Sequence, residues 1–187
     1  MKEDYNGRGN KLEDTDSLYI IDANAFITPY KHYYRFSIAP SFWEQFNDNA
    51  EKKLIYSIDK VKDEICVSKD EESKDPLQKW IEDEFKGLFI TTKSLEIISE
   101  YQNIMNFMNE SPKYNDKALK VWSDIKIADP WIIATAKVFN STIVTFETAN
   151  NSGVKEISKP KIPDLCKDFG IQCKDLFEMM DELEFRF

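Results

Sequence analysis

Short apolar runs that alternate with helical patterns constrain the fold of this chain more than any other feature. The runs lie at residues 18–22, 54–57, 88–90, 142–146 and 171–173, and helical patterns of apolar residues separate them. Apolar runs of this length are typical of strands that are buried on both faces of a parallel sheet. Alternation of such strands with helices is typical of α/β proteins. We therefore predict a three-layer α/β/α sandwich around a central, mostly parallel, five-stranded sheet.

The domain organisation follows from where these patterns begin. The length of 187 residues fits one domain, and all the strand and helix patterns fall within residues 18–187. Residues 1–17 are polar, carry charges of both signs and hold two of the five glycines, so we predict a flexible N-terminal tail. This segment lacks the apolar core of a secretory signal, and no apolar run reaches the ~20 residues of a membrane span. Three cysteines without CxxC spacing suit a reducing compartment, which predicts a cytoplasmic protein without membrane contact.

The composition excludes several common catalytic chemistries. The glycines form neither the dinucleotide-binding motif nor the P-loop, and the single histidine, His32, excludes a histidine-rich zinc site. Carboxylates are abundant: 34 acids against 25 basic residues give a net charge of −9, which taken alone argues against non-specific nucleic-acid binding. Since a buried acid requires compensation, an acid beside buried apolar residues is a candidate for a functional role. Acids without that placement, including Asp164 and those within 175–184, are predicted to lie on solvated faces.

Two acids directly follow predicted strands. Asp22 ends the run LYIID, and Glu147 ends TIVTFE. Ligands of open parallel sheets bind beyond the carboxyl ends of the strands, so both acids are candidates for a functional site. A structural role is the alternative for each of them. Asp22 would then cap the helix that follows it, Asn24 would be an ordinary helix-start residue, and Glu147 would be a loop acid.

Two further acids lie beside the apolar faces of predicted helices. Glu64 flanks the apolar stripe of the helix at 58–66 by about 90°, whereas Asp63 points almost opposite to that stripe. We therefore predict that Glu64 is partly buried and that Asp63 is solvated. Asp129 precedes Pro130, which predicts an N-cap followed by proline at the first helical position. Asp129 also heads the apolar, inward face of its helix, so a functional role is compatible with capping.

Taken in chain order, these motifs resemble those of the PIN-domain nucleases, and the VapC-like toxins in particular. That family has a strand ending in Asp-x-Ser/Thr/Asn, an acid on an early helix, a helix that opens with Asp, and a strand ending in Thr-x-acid. The matching segments are Ile20–Asn24, Val61–Ile65, Ala128–Ala134 and Val144–Glu147. The resemblance extends over residues 18–183. The last acid of the family is usually Asp, and here it is Glu147.

This resemblance implies an endoribonuclease that hydrolyses RNA with Mg²⁺ or Mn²⁺. The implied metal ligands are Asp22, Glu64, Asp129 and Glu147, and Asn24 would position a water molecule or a phosphate oxygen. The resemblance also implies a toxin that pairs with an antitoxin protein. Carboxylates brought together repel one another, and Mg²⁺ and Mn²⁺ prefer oxygen ligands, so the implied metal is compatible with these residue types.

The segment Pro29–Phe36, PYKHYYRF, combines basic and aromatic side chains. Its Lys31, His32 and Arg35 are candidates for a basic edge that contacts RNA. The aromatic content of 13% exceeds what one small core needs, which predicts a homodimer or a complex with an antitoxin-like protein.

Two other functions remain open from the sequence. A catalytically inactive PIN-like scaffold that only binds a protein partner is favoured by the replacement at Glu147 and by the acidic net charge. A phosphatase or phosphoacceptor domain would use Asp22. The phosphatase pattern requires a second Asp two residues later, and Asn24 at that position argues against it.

Overall fold

The computed structural model describes residues 18–150 and 156–187. Its five strands form one parallel sheet with the order β3-β2-β1-β4-β5. The strands are β1 (Tyr19–Ile21), β2 (Ile55–Ile58), β3 (Phe89–Ile90), β4 (Thr142–Val144) and β5 (Cys173–Lys174). The predicted flexible tail, residues 1–17, lies outside the described residues.

Helices connect the strands and cover the sheet. In chain order they are α1 (Ala23–Thr28), α2 (Pro40–Glu51), α3 (Asp59–Ile65), α4 (Pro76–Asp83), α5 (Leu95–Glu110), α6 (Asp116–Trp122), α7 (Asp129–Phe139), α8 (Ile162–Phe169) and α9 (Leu176–Glu182). A π-helical turn, Pro29–Tyr33, continues α1, and a 3₁₀ turn, Glu71–Ser73, precedes α4. The predicted α/β class, the parallel sheet and the number of its strands are confirmed. The arrangement agrees with the predicted three-layer sandwich.

The first strand is the centre of the core. Tyr19 of β1 pairs with Ile55 on one side and with Thr142 on the other. Ile20 and Ile21 are fully buried, as expected for a strand that is covered by helices on both faces. The chain adds β2 and β3 on one side of β1 and then returns to add β4 and β5 on the other side. The strand order therefore reverses between β1 and β4.

Two strands differ from their predicted bounds by two residues at one end, for local reasons, and the other three differ by one residue at one or both ends. The last strand begins at Cys173 rather than at 171, because Ile171 still belongs to the end of α8. Its N–H donates to Cys166 O at 2.9 Å, directly after Gly170, which adopts the left-handed conformation. The fourth strand ends at Val144 rather than at 146, because Phe146 N donates to a side chain of α1 instead of to the sheet.

Many of the aromatic side chains on which the dimer prediction rests pack within the chain. Tyr34 stacks on Phe42 with ring centres 4.4 Å apart, and Phe36 packs 4.6 Å from Trp43. The core therefore accounts for much of the aromatic content, and the homodimer and the antitoxin complex remain predictions. Within the residues described, no helix is both long enough and apolar enough to span a membrane.

Candidate active site

The candidate site lies where the strand order reverses. Loops that leave two neighbouring strands in opposite directions open a crevice at the carboxyl ends of those strands, and α/β proteins bind ligands there. Asp22 directly follows β1, and Thr145–Glu147 directly follow β4. Asp22 N donates to Val144 O at 3.0 Å, so the two loops begin side by side. The order of the strands therefore places the first and last sequence motifs at one crevice.

Asp22 is both a helix cap and a buried acid. Its Oδ1 accepts from Ala23 N at 2.7 Å, and its Oδ2 accepts from Thr145 Oγ1 at 2.8 Å. Only 4% of the residue is exposed. Burial, followed by the charge of Asp129, raises the pKa of Asp22 from its ordinary value of 3.8 to about 7, although the two hydrogen bonds oppose this rise. The capping role predicted as an alternative is confirmed, and it coexists with an electrostatically unfavourable position.

Asp129 is the second acid with a strongly raised pKa. Burial, followed by the charges of Glu147 and Glu64, raises its pKa to about 7. The sequence prediction that Asp129 is the N-cap of α7 is wrong by one residue. Ile132 N donates to Ala128 O, so Ala128 takes the cap position and Asp129 is the first helical residue.

Glu64 joins the site from α3. Its Oε1 accepts from Ala128 N at 3.2 Å, which links α3 to the start of α7 beside Asp129. The residue as a whole is exposed, as is Asp63, so the predicted contrast in overall burial is wrong. The contrast lies at the carboxyl group instead. Burial of that group raises the pKa of Glu64, and the hydrogen bond from Ala128 opposes the rise.

Both carboxylate oxygens of Glu147 have partners within the chain. One carboxylate oxygen forms an ion pair with Lys161, and the other accepts from Ile162 N at 2.9 Å. The carboxylate thereby joins the end of β4 to the first residue of α8. Glu147 still contributes negative charge to the site, because its charge raises the pKa values of both Asp22 and Asp129.

Asn24 lies at the crevice, and its amide is engaged within the chain. Its Oδ1 accepts from Phe146 N at 2.8 Å, and its Nδ2 donates to Thr145 Oγ1 at 3.0 Å. These bonds hold the first turn of α1 against the residues that follow β4. The expected role in positioning water or phosphate remains a prediction. What the structure adds is a role in fixing the loop that carries Glu147.

Lys161 is a member of the site that the sequence reasoning missed. It precedes α8 and forms an ion pair with Glu147. Its charge lowers the pKa of Asp129, and the acids Glu147, Asp129 and Asp22 in turn raise the pKa of Lys161. The only local signal was a lysine placed just before Ile162-Pro163, where a helix begins.

Asp164 is a second correction. It was predicted to lie on a solvated face, but only 4% of it is exposed. Its carboxylate accepts from Asn150 N at 2.9 Å, Asn150 Nδ2 at 2.6 Å and Lys161 N at 2.9 Å. Asp164 therefore fixes the loop after β4 and the start of α8, and through them the position of Lys161. Its place just after Pro163, in the first turn of a helix, was a signal for this capping role.

The acid cluster, defined as Asp22, Glu64, Asp129 and Glu147, suits a hard divalent cation in the chemistry of its donors. Within residues 18–150 and 156–187, no three His, Cys, Asp or Glu side chains are grouped as a ready-made metal site. Acids of the cluster have partners within the chain instead: Glu147 is paired with Lys161, and Glu64 is bonded to Ala128. A cation held by three of the four carboxylates therefore requires rearrangement of at least one of these side chains.

The fold and the crevice define an α/β domain with an acidic site at the switch point of a parallel sheet. A protein-family model described as a domain of unknown function, DUF4411, matches residues 19–187. The chain belongs to this family, and the match includes all five strands and every residue of the acid cluster. A comparison with curated proteins finds no match.

Proposed function

We propose that this protein is a Mg²⁺- or Mn²⁺-dependent endoribonuclease that hydrolyses phosphodiester bonds of single-stranded RNA. One observation carries the proposal: Asp22 and Asp129 lie at the switch-point crevice with pKa values that burial and neighbouring carboxylates raise to about 7. Above pH 7 both acids are charged while buried, and this lowers the free energy of unfolding. A bound divalent cation would remove this cost, because it favours the charged form of both groups.

The acid cluster would hold the cation. Asp22 and Asp129 are the first candidates, Glu64 is the third, and Glu147 would join when it exchanges Lys161 for the metal. When bound, the cation stabilises the negative charge that develops on a phosphate undergoing hydrolysis. Thr145 would orient Asp22 through the bond that it already donates at 2.8 Å. Lys161, once released from Glu147, would donate to a phosphate oxygen as a positively charged group.

Replacement of Asp22 by Asn tests this proposal directly. The substitution keeps the size of the side chain and removes the charge that would hold the cation. We expect cleavage of a labelled single-stranded RNA in Mn²⁺ to fall at least ~100-fold, the scale of one key transition-state contact of ~3 kcal/mol. Asp63→Asn is the matched control, since Asp63 lies on the same helix as Glu64 and is exposed. EDTA should abolish cleavage by the wild type.

Three results would contradict the assignment. Cleavage that persists in EDTA would remove the cation from the reaction. Equal losses in Asp22→Asn and Asp63→Asn would show that the acid cluster is not the centre of the chemistry. A folded wild-type protein that cleaves neither RNA nor DNA in Mn²⁺ would favour the second candidate function.

That second candidate is a catalytically inactive PIN-like scaffold that binds a protein partner. The ion pair between Lys161 and Glu147 favours it, because the pair compensates one acid of the cluster without a metal. The two candidates differ in their response to Mn²⁺. A nuclease should bind Mn²⁺ through Asp22, so isothermal titration should show binding by the wild type and its loss in Asp22→Asn. A scaffold should show no difference between the two proteins.

We further propose that the nuclease is the toxin of a toxin–antitoxin pair in the cytoplasm. This part rests on the resemblance of the four motifs to those of the VapC-like toxins. Induced expression of the wild type should stop growth of a bacterial host, and expression of Asp22→Asn at the same level should not. Co-purification of a small protein from the native host would identify the antitoxin. Light scattering of the purified chain would decide between a monomer and the predicted homodimer.

A further inference from the structure

Three aromatic rings form a cluster beside the acid cluster, and two of the three are exposed. Tyr33 comes from the π-helical turn, Phe146 from the loop after β4, and Phe177 from α9. The ring of Tyr33 stacks on that of Phe146 at 6.2 Å between centres, and Phe177 lies 5.7 Å from Tyr33 and 5.9 Å from Phe146. We call these three residues the aromatic cluster. Its members come from distant parts of the chain, so the fold itself assembles it.

Two members of the aromatic cluster lie outside the core, whereas Phe146 is half-buried and packs against the core. Tyr33 is 53% exposed and Phe177 is 39% exposed, whereas the neighbouring Tyr34 packs inward against Phe42. Leaving large rings in water forfeits hydrophobic free energy that their burial would supply. Exposed apolar patches of this kind commonly mark a site of interaction.

A groove connects the aromatic cluster to the candidate active site. It has a volume of about 500 Å³ and is lined by all three rings and by Thr145 and Glu147. Thr145 donates to Asp22, and Glu147 belongs to the acid cluster. Phe146 lies between these two residues in the chain. A molecule that occupies the groove therefore lies next to Glu147, one of the carboxylates proposed to hold the metal.

The charges around the groove select the part of a ligand that can enter. Asp175 and Glu178 also line it, and each is held by the backbone N–H of the other at the start of α9. Two fixed acids repel a phosphate group, but they accept hydrogen bonds from the amino groups of a neutral base. Lys174 is the basic residue that lines the groove, and its ammonium group is paired with Glu182. Lys31 and His32 are exposed on the same turn as Tyr33.

We propose that the aromatic cluster binds an unpaired nucleobase by stacking, next to a phosphodiester held at the acid cluster. The inference rests on the proposed nuclease function and adds the recognition element of its substrate. Every base has a flat π face, so stacking tolerates any sequence but requires that the base is free of a duplex. The groove therefore makes this a site for single strands.

Binding of a fluorescein-labelled 12-nucleotide RNA, followed by anisotropy in Ca²⁺, tests the inference. Tyr33→Leu and Phe177→Leu keep an apolar side chain and remove the π face. Each should weaken binding roughly tenfold, which corresponds to about 1.4 kcal/mol. Phe139→Leu is the matched control, because Phe139 is 43% exposed and its groove lies at the start of β4, where Ser141 and Thr142 line it. Thermal unfolding should confirm that all three variants are folded.

A second probe separates stacking from contacts with the backbone. An otherwise identical 12-mer whose bases are replaced by abasic sites should bind the wild type about as weakly as the intact RNA binds Tyr33→Leu. The same loss in Phe139→Leu, or unchanged binding by both cluster variants, would overturn the inference. Unchanged RNA binding together with loss of a co-purifying protein would show that the groove docks a protein instead.

The groove and the nuclease function can fail separately. If the wild type does not cleave RNA in Mn²⁺, but Tyr33→Leu binds RNA more weakly than the wild type does, the nuclease function fails and the base-binding groove is retained. If the wild type cleaves, and both cluster variants cleave with an unchanged KM, the groove is wrong and the nuclease function is retained.

Discussion

Replacing Asp22 by Asn should stabilise the metal-free protein above pH 7, although Asp22 is the residue on which the proposed chemistry depends most. A pKa that rises from 3.8 to about 7 corresponds to about 4 kcal/mol, at 1.36 kcal/mol per pKa unit. Asparagine removes this penalty because it carries no charge to bury. The exchange also weakens the hydrogen bonds that the carboxylate accepts from Ala23 and Thr145, which offsets part of this gain. We therefore expect a gain of about 2 kcal/mol in the free energy of unfolding.

The direction of the pH dependence follows from proton binding. Between pH 4 and pH 7 the folded state keeps the proton on Asp22, whereas the unfolded chain has released it. The unfolded state then binds fewer protons, so the free energy of unfolding falls as the pH rises. The penalty is absent below about pH 4 and complete above about pH 7. The advantage of Asp22→Asn should accordingly be large at pH 8 and small at pH 5.

Urea unfolding in EDTA at pH 5 and pH 8 measures the difference in free energy of unfolding between Asp22→Asn and the wild type. Asp63→Asn is the control and should match the wild type at both pH values. Addition of Mn²⁺ should reverse the order of stability. A cation at 100 times its Kd stabilises the folded wild type by about 2.7 kcal/mol and should leave Asp22→Asn unchanged.

A lower free energy of unfolding for Asp22→Asn than for the wild type at pH 8 in EDTA would refute this prediction. If Asp22→Asn is less stable than the wild type there, the hydrogen bonds to Ala23 and Thr145 outweigh the cost of the buried charge. Asparagine caps a helix about as well as aspartate, so this outcome would show that the charged carboxylate of Asp22 is a favourable acceptor for these two groups rather than a strained acid.

Other residues give independent predictions. Lys161→Met should lower the free energy of unfolding in EDTA by about 1 kcal/mol, because it leaves a carboxylate without its ion pair, and Lys161→Arg should retain most of the stability. Asp164→Ala should cost about 2–3 kcal/mol in urea unfolding, because the N–H groups of Asn150 and Lys161 lose their acceptor, while Glu156→Ala, at an exposed position, should have little effect. Gly170→Ala should cost about 1 kcal/mol, because Gly170 has a φ of 65°, and should lower the Tm by about 2–4 °C.

The sequence predicted the fold well where a strand is buried on both faces, because its residues then form a continuous apolar run. The apolar run before Asp22 is strand β1, and the stop at Gly170 is the end of α8. The strand after that stop was placed two residues too early. The pattern of Ile171 suits a strand, but its N–H completes the end of the helix, and only the backbone hydrogen bond shows this.

The site was predictable only in the part that depends on strand ends. The rule that ligands lie beyond the carboxyl ends of parallel strands selected Asp22 and Glu147, and both lie at the crevice. Lys161 and Asp164 were missed because their partners come from another segment. Asp164 contacts Asn150, which lies 14 residues away in the chain and is brought back by the loop between β4 and α8. The periodicity of apolar residues in a helix does not show which residue from another segment will contact it.

The net charge of −9 can be reconciled with an RNA substrate through the partners of the acids. Burial and neighbouring acids raise the pKa values of Asp22 and Asp129 to about 7, so the metal-free crevice retains protons near neutral pH and is less negative than the count of carboxylates indicates. Lys161 offsets Glu147. On the proposed function, a divalent cation adds two positive charges to this crevice, and a phosphate then experiences attraction where the metal-free protein repels it. Cation and RNA should therefore bind with positive coupling, each raising the affinity for the other by the same factor. The acidic remainder of the surface then disfavours nucleic acid everywhere except at the loaded site.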